Sequence, residues 1–445
     1  MKIQNYNKTI MTSTLFGLVS LAATGQEKRP NIVLIMADDM GYECLSCNGS
    51  LSYQTPNLDR LAEQGIRFTH CISQPLSTPS RLKMMTGKYN YRNYEYFEYL
   101  NPNQKTFGNY LKEAGYSTCI AGKWQLNGIA HNLPGNQDID RAQHFGFDEY
   151  CLWQYNHPRA DGERYANPLI IQNGEKLEGV ENSYGPDIFC NFVCDYIERN
   201  SDKPFFIYYP MALVHDPFVP TPYSPEWGDP DRRYERNNSH FKEMVEYADE
   251  IVGIIESKLK EEGLLDNTIL IFTGDNGTNV NITTLTKEGP LKGGKSFTTD
   301  AGCHVPLIVS WPKFIKKARV YDPLIDYSDF SPTLIEAAGG VSIAKDLDGK
   351  SFLPVLKGGT SPVKETVFVH YDPQWGNTSQ NRNRFARTVD YKLYLGNRFY
   401  KIDNDPLEIH PMITISKKEK KIRSQLQNIL DRAEKESPWI LEREN

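Results

Sequence analysis

The chain has no excess of positive charge: 50 Lys and Arg stand against 56 Asp and Glu, a net charge of −6. It lacks the basic stripe that neutralises phosphates, which excludes a nucleic-acid partner. It also lacks an apolar run of the about 20 residues needed to cross a bilayer. The apolar stretch Met11 to Ala23 is shorter, and Lys2 and Lys8 precede it. Ala23-Thr24-Gly25 follows as a small-residue cleavage site before Gln26, with no Cys at the boundary. This reads as a cleaved signal peptide over 1–25. The expectation is an exported chain, periplasmic or secreted, with no stable membrane insertion.

Cysteine is sparse: eight residues, of which Cys44 and Cys47 form a C-x-x-C with no second pair at zinc-site spacing. Cys119 and Cys303 sit in apolar strand-like runs. Export permits disulfides, but the spacing suggests no disulfide framework. Internal repeats and low-complexity tracts are missing too, which excludes a solenoid.

What the chain does have is alternation. Asn31 to Ala37, Tyr116 to Ala121, Pro204 to Tyr209, Thr268 to Phe272 and Val305 to Trp311 are apolar runs of strand length. Between them lie helical patterns. Pro56 to Gln64 has Thr55 as N-cap, Pro56 at the first helical position and Gly65 as stop. Ser239 to Glu262 places Phe241, Val245, Ala248, Ile251, Val252, Ile255 and Leu259 on one face. Strands without a polar face, alternating with helices, predict an α/β fold with a large, mostly parallel sheet covered on both sides. Gly and Pro gather near 340–359. Shorter strands then follow at Thr366 to His370, Arg384 to Thr388 and Tyr391 to Leu395, with a charged helix at about Lys417 to Glu434. The organisation expected is a catalytic domain over 26–355 and a small α+β domain over 356–445.

Two of the apolar strands run into acidic residues: the first into Asp38-Asp39, another into Asp275-Asn276. Ligands of open α/β sheets gather beyond the carboxyl ends of strands. Adjacent carboxylates there repel unless a cation intervenes. Three carboxylates and one amide oxygen suit a hard ion such as calcium or magnesium. Either turn alone is an ordinary turn; both together point to metal.

Residues 77 to 87 read Ser-Thr-Pro-Ser-Arg-Leu-Lys-Met-Met-Thr-Gly. This segment resembles the signature of type I, formylglycine-dependent sulfatases: Cys or Ser, any residue, Pro, a small residue, Arg, then Thr-Gly. The resemblance extends through Asp-Asp-Met-Gly after the first strand, Thr55 to Gly65, Ala121 to Trp124, Asp275 to Gly277, Gly289 to Lys295, Val305 to Pro312, Asp329 to Ala338 and Asp403 to Pro406. It implies an alkaline phosphatase-like core with a smaller C-terminal domain. It further implies conversion of Ser77 to formylglycine by a partner maturase of the anaerobic, radical type. Such an aldehyde hydrate supplies a nucleophilic hydroxyl, and its second hydroxyl expels sulfate afterwards.

The resemblance assigns calcium to Asp38, Asp39, Asp275, Asn276 and an oxygen of modified Ser77, acting as Lewis acid and template. Arg81 is implied to hold the hydrated aldehyde and the ligand carboxylates. Lys123 and Lys295 match lysines that contact sulfate oxygens, and His215 matches the leaving-group acid. Two departures stand out. The family's usual His after Lys-Trp is Gln125 here, and Gln cannot act as a base. Ser296 to His304 lacks the usual Glu-Gly-Gly, and His304 has no assigned role. An exported, serine-type chain suggests a sulfated carbohydrate substrate: a glycosaminoglycan, a mucin glycan or an algal polysaccharide. His157, Arg159, Trp375 and Arg384 are the candidate sugar contacts, because aromatic and Arg-rich loops suit hydroxyls and carboxylates. Two rival readings stay open: a phosphate-type ester or phosphonate hydrolase on the same scaffold, and a catalytically weak glycan-binding homologue.

Overall fold

The computed structural model describes residues 28–158, 162–340, 346–403 and 405–439. The segment read as a signal peptide and Arg159 lie outside the described residues. Among the described residues no helix is long and apolar enough to cross a membrane, and all eight cysteines are free thiols.

The expected large mixed sheet is present. Across it the strands run Arg319–Tyr321, Ile66–Ile72, His304–Ser310, Thr268–Gly274, Asn31–Ala37, Phe205–Pro210, Ser117–Lys123, Glu149–Trp153, Ile170–Gln172 and Glu175–Lys176. Ile325–Asp326 pairs with Ile66–Ile72 off this path. The five strands from Thr268–Gly274 to Glu149–Trp153 are mutually parallel. His304–Ser310 is antiparallel to both its neighbours, which makes the sheet mixed.

Asn31–Ala37 lies at the centre and is buried throughout. Its alternate residues feed two cores. Val33 and Ile35 pack with the helices Pro56–Gln64, Gly185–Arg199 and His240–Glu261 on one face. Ile32, Leu34 and Met36 pack on the other with Ser77–Thr86, Phe107–Glu113 and Phe330–Ala337. Burial on both faces explains why these strands carry no polar alternation. A four-stranded antiparallel sheet follows, in the order Val367–Tyr371, Asn383–Arg387, Tyr391–Tyr394, Phe399–Lys401. The helix Lys417–Glu436 covers it, burying Leu426, Leu430 and Ala433.

Two expectations change. Thr55 occupies the N-cap position of Pro56–Gln64, yet its hydroxyl makes no capping bond; it accepts from the Ser46 N–H at 2.9 Å instead. The cap comes from Asp249 on the long helix, which accepts from the N–H groups of Leu58 at 2.8 Å and Asn57 at 3.1 Å. Arg384, a candidate sugar contact at the start of an expected strand, lies within the strand Asn383–Arg387 and is 1% exposed. Its guanidinium joins Glu434, the Ser437 carbonyl at 2.6 Å and His370 Nδ1 at 2.7 Å. It fastens the last helix to the small sheet.

Replacing Asp249 with Ala leaves two helix-terminal donors, buried Leu58 and half-buried Asn57, without acceptors. The expected cost is about 2 kcal/mol of stability, read as a lower urea midpoint. An unchanged midpoint would show that the tertiary cap contributes nothing.

Candidate active site

Neighbouring strands deliver the candidate residues to one edge of the sheet. Asn31–Ala37 presents Asp38 and Asp39, and Thr268–Gly274 presents Asp275 and Asn276. Ser117–Lys123 ends on Lys123 and leads to Gln125. Phe205–Pro210 leads to His215. Ile66–Ile72 leads, through a short loop, to Ser77 at the start of the helix Ser77–Thr86, all ten residues of which are buried. This edge is the carboxyl end of the parallel strands, where such folds place ligands.

Asp38 is the hub. Its Oδ1 accepts from Ser77 Oγ at 3.0 Å, and its Oδ2 accepts from Lys123 Nζ at 2.6 Å. The Arg164 guanidinium stands 3.8 Å from Oδ2. Lys123 Nζ also reaches Ser77 Oγ at 3.3 Å, and Asn276 Oδ1 lies 3.4 Å from that hydroxyl. Asp39 forms a second pair beside it. Its Oδ2 accepts from Lys295 Nζ at 2.6 Å, its Oδ1 from Asn276 Nδ2 at 2.9 Å. The Asp39 N–H donates to Asp275 Oδ1 at 2.9 Å. Asp39 adopts φ 62°, a left-handed conformation that is uncommon outside glycine and marks sites where function constrains the backbone.

His215 closes the far side. Its Nδ1 donates to the Asp216 carbonyl at 2.6 Å, since a carbonyl can only accept. The other ring nitrogen, Nε2, is therefore the acceptor for Lys295 Nζ at 2.9 Å.

Burial raises every carboxyl here, but Asp38 ends below the usual range because Lys123, Lys295 and Arg164 outweigh that penalty. Asp275 ends well above it, first from burial and then from repulsion by Asp38 and Asp39. Lys295 ends above its ordinary value, since Asp39 and Asp38 outweigh burial. The residues fit a hard divalent cation. Ligand atoms of Asp38, Asp39 and His215 fall within 4.8 Å of one another. Ser77 and Asn276 add a hydroxyl and an amide oxygen at the same place, giving a donor set dominated by oxygen.

The remaining predicted residues separate. The Arg81 guanidinium donates to the carbonyls of Trp124 at 2.7 Å and Lys123, so it fastens the Lys123 loop to the Ser77 helix. Gln125 Nε2 donates to Glu98 Oε1 at 2.6 Å. His157 is buried and lines a cavity with both of them. Trp375 is 41% exposed and stacks on Phe97 with centroids 4.4 Å apart. Arg384 is buried in the small sheet, as described above. His304 Nε2 bonds the Thr69 carbonyl at 2.7 Å, and its ring stacks on Tyr42, a structural role. Sequence reasoning missed Glu98, and it did not single out Gln154 or Arg164 within the segment 153–164 that supplied His157 and Arg159. Gln154 follows the apolar strand Glu149–Trp153, so the strand-end rule that found Asp38 could have found it. Glu98 carries no such signal; only the folded chain brings it to Gln125.

Comparison with known proteins bears on this geometry. The sulfatase family profile matches residues 30–341, and the profile described as N-sulphoglucosamine sulphohydrolase, C-terminal, matches 294–436. The chain belongs to the sulfatase family and is a sulfuric ester hydrolase on the alkaline phosphatase-like fold. It is 27% identical to an N-acetylglucosamine-6-O-sulfatase of Bacteroides thetaiotaomicron, over 92% of this chain and 85% of that protein. It is 30% identical to human arylsulfatase A, over 85% of this chain and 77% of that protein. Among solved structures, a sulfatase-fold protein in complex with its substrate D-glucosamine-2-N,6-O-disulfate is 25% identical. That match covers 92% of this chain and 98% of the other, with a TM-score of 0.71.

Lys123→Met strands the buried Asp38 charge and should cost about 3 kcal/mol of stability. Adding Asp38→Asn should recover most of that loss. Urea unfolding of the three proteins checks this, and an equal loss in the single and double variants would deny the pairing.

Proposed function

We propose that the protein removes a sulfate monoester from a carbohydrate, using a formylglycine made from Ser77 and a calcium ion. The ion would be held by Asp38, Asp39, Asp275, Asn276 and the oxygen at position 77. The observation that carries this reading is the setting of Ser77 Oγ, which lies within 3.4 Å of Asp38, Lys123 and Asn276 together. When present, the hydrated aldehyde supplies a nucleophilic hydroxyl and the cation supplies Lewis acidity.

The residues of the chain do the rest. Three carboxylates face two lysines and one arginine, so a divalent cation added to this balance leaves the cleft positive and suited to an anionic ester. Lys123 pairs with Asp38 and Lys295 with Asp39, so each ammonium is already within reach of an oxygen anion. An incoming sulfate competes with Asp38 and Asp39 for these ammonium groups. The Asp216 carbonyl aims His215 Nε2 at the cleft, where, once Lys295 turns from it to the sulfate, it can be protonated and serve as acid to the leaving oxygen. Arg81 fixes the loop that carries Lys123.

A sugar substrate is supported by the carbohydrate sulfatases among the relatives and by Trp375, whose half-exposed face suits a sugar ring. The chain is further read as exported through residues 1–25 and matured by an anaerobic-type enzyme. Its catalytic domain spans 26–355 and its small domain 356–445.

Two measurements test this. Protein made with an anaerobic-type maturase should show a loss of two hydrogens in the peptide containing Ser77, by mass spectrometry, and should release sulfate from sulfated sugars. Ser77→Ala should lower that release at least about a thousandfold, roughly 4 kcal/mol of barrier. A converted Ser77 that turns over phosphate esters but no sulfate ester would refute the reading. Calcium should raise the melting temperature of the parent protein and leave that of Asp275→Asn unmoved. A parent protein indifferent to calcium would remove the metal from the proposal.

A further inference from the structure

The cavity beside the Lys123 loop, of about 190 Å³, is lined among others by Glu98, Gln125, Asn127, Gln154 and His157. Its walls continue the catalytic strands. Ser117–Lys123 brings Lys123 to Ser77 and then Gln125 to this cavity. Glu149–Trp153 runs beside it and continues to Gln154, and the Gln125 N–H donates to the Gln154 carbonyl at 3.2 Å. The Glu98 N–H donates to Thr78 Oγ1 at 3.1 Å, next to Ser77. The pocket thus adjoins the sulfate centre and is tied to it by backbone.

Three of its residues adopt left-handed backbone conformations without being glycine: Glu98 at φ 61°, Gln125 at 50° and Gln154 at 54°. Such conformations cost about 1 kcal/mol or more each and persist where the surroundings enforce them. Here all three converge on one cavity.

The hydrogen-bond inventory says what the cavity is for. The Glu98 carboxylate accepts from Gln125 Nε2, so the Gln125 amide is oriented with its NH₂ on Glu98. Gln125 Oε1 is then buried with no protein partner, as is Gln154 Oε1. Asn127 Oδ1 accepts from the Trp124 indole, which leaves Asn127 Nδ2 as a buried donor without a partner. The residues are 3 to 5% exposed. Each unmet buried group costs about 1–3 kcal/mol, so a ligand that meets them is bound for that reason. Two amide oxygens and a carboxylate want O–H or N–H donors. Among the described lining residues there is no Lys or Arg, and Glu98 repels an anion.

We infer that this pocket binds the hydroxyls of the sugar ring bearing the scissile ester and selects a neutral ring. The inference rests on the carbohydrate sulfatase reading and supplies its substrate class.

The test uses the full-length enzyme with Ser77 converted. Values of kcat/KM are compared for 4-nitrophenyl sulfate, which has no hydroxyls, and for galactose 6-sulfate and N-acetylglucosamine 6-sulfate. The better sugar should exceed the aryl sulfate at least tenfold, and its deoxy analogues should lose at least tenfold where a bound hydroxyl is missing. Gln154→Leu and the isosteric Glu98→Gln should each lower the sugar-to-aryl ratio, the first at least tenfold. Sugars no better than the aryl ester, or variants that lower both substrates alike, overturn the pocket and leave sulfatase activity standing. No release from aryl or sugar sulfates overturns the activity and the pocket with it.

Discussion

A charge taken out of water must be paired, and this rule organises the molecule around Asp38. An unpaired buried carboxylate costs several kcal/mol, a large fraction of the net stability of a folded chain. Asp38 therefore draws Lys123 from a strand two places along the sheet, and Asp39 draws Lys295 from just beyond the two-stranded hairpin formed by Thr283–Thr286 and Gly289–Lys292. Behind the Ser77 helix the same rule operates: Lys83 meets Asp326 at 2.5 Å and Lys364 meets Asp329 at 2.7 Å. The helix that presents Ser77 is thereby anchored by one buried ion pair, Lys83 with Asp326, in addition to its apolar packing and the Ser77 hydrogen bond to Asp38.

Much of this arrangement is legible in the chain because local periodicity reports which faces are buried. The central strand and the helix Pro56–Gln64 fall where their patterns place them, and the other core strands shift by a residue or two. Asp38, Asp39, Asp275 and Asn276 were found because polar residues directly after a buried strand have one place to go. Periodicity is silent about partners brought in from afar. Thr55 has the sequence of a cap, but Asp249, 191 residues from Leu58, takes the bonds. Arg384 reads as an accessible sugar contact because nothing nearby in the chain offers it a partner; the folded chain supplies Glu434 and buries it. Glu98 and Arg164 acquire meaning only beside Gln125 and Asp38.

Gln125 shows how a departure from a family pattern can be read physically. An amide cannot take a proton, and this one has already spent its NH₂ on Glu98. Its remaining oxygen is buried without a protein partner in a residue that lines a cavity, so the position is better described as part of a binding wall than as a replacement for a base. That leaves His215 as the imidazole within reach of Lys295 and Asp39 at the proposed reaction centre.

The contact between His215 and Lys295 then has a consequence for timing. While Lys295 donates to Nε2, that nitrogen cannot carry a proton to a leaving oxygen. An anionic ester offers Lys295 a stronger, charge-assisted acceptor than a neutral imidazole. On the proposed reading, seating the sulfate turns the lysine toward the anion and makes Nε2 available for protonation in the same event. A neutral molecule of the same shape would leave the lysine on the imidazole. The charge of the substrate, and not only its shape, thus decides when the acid is ready.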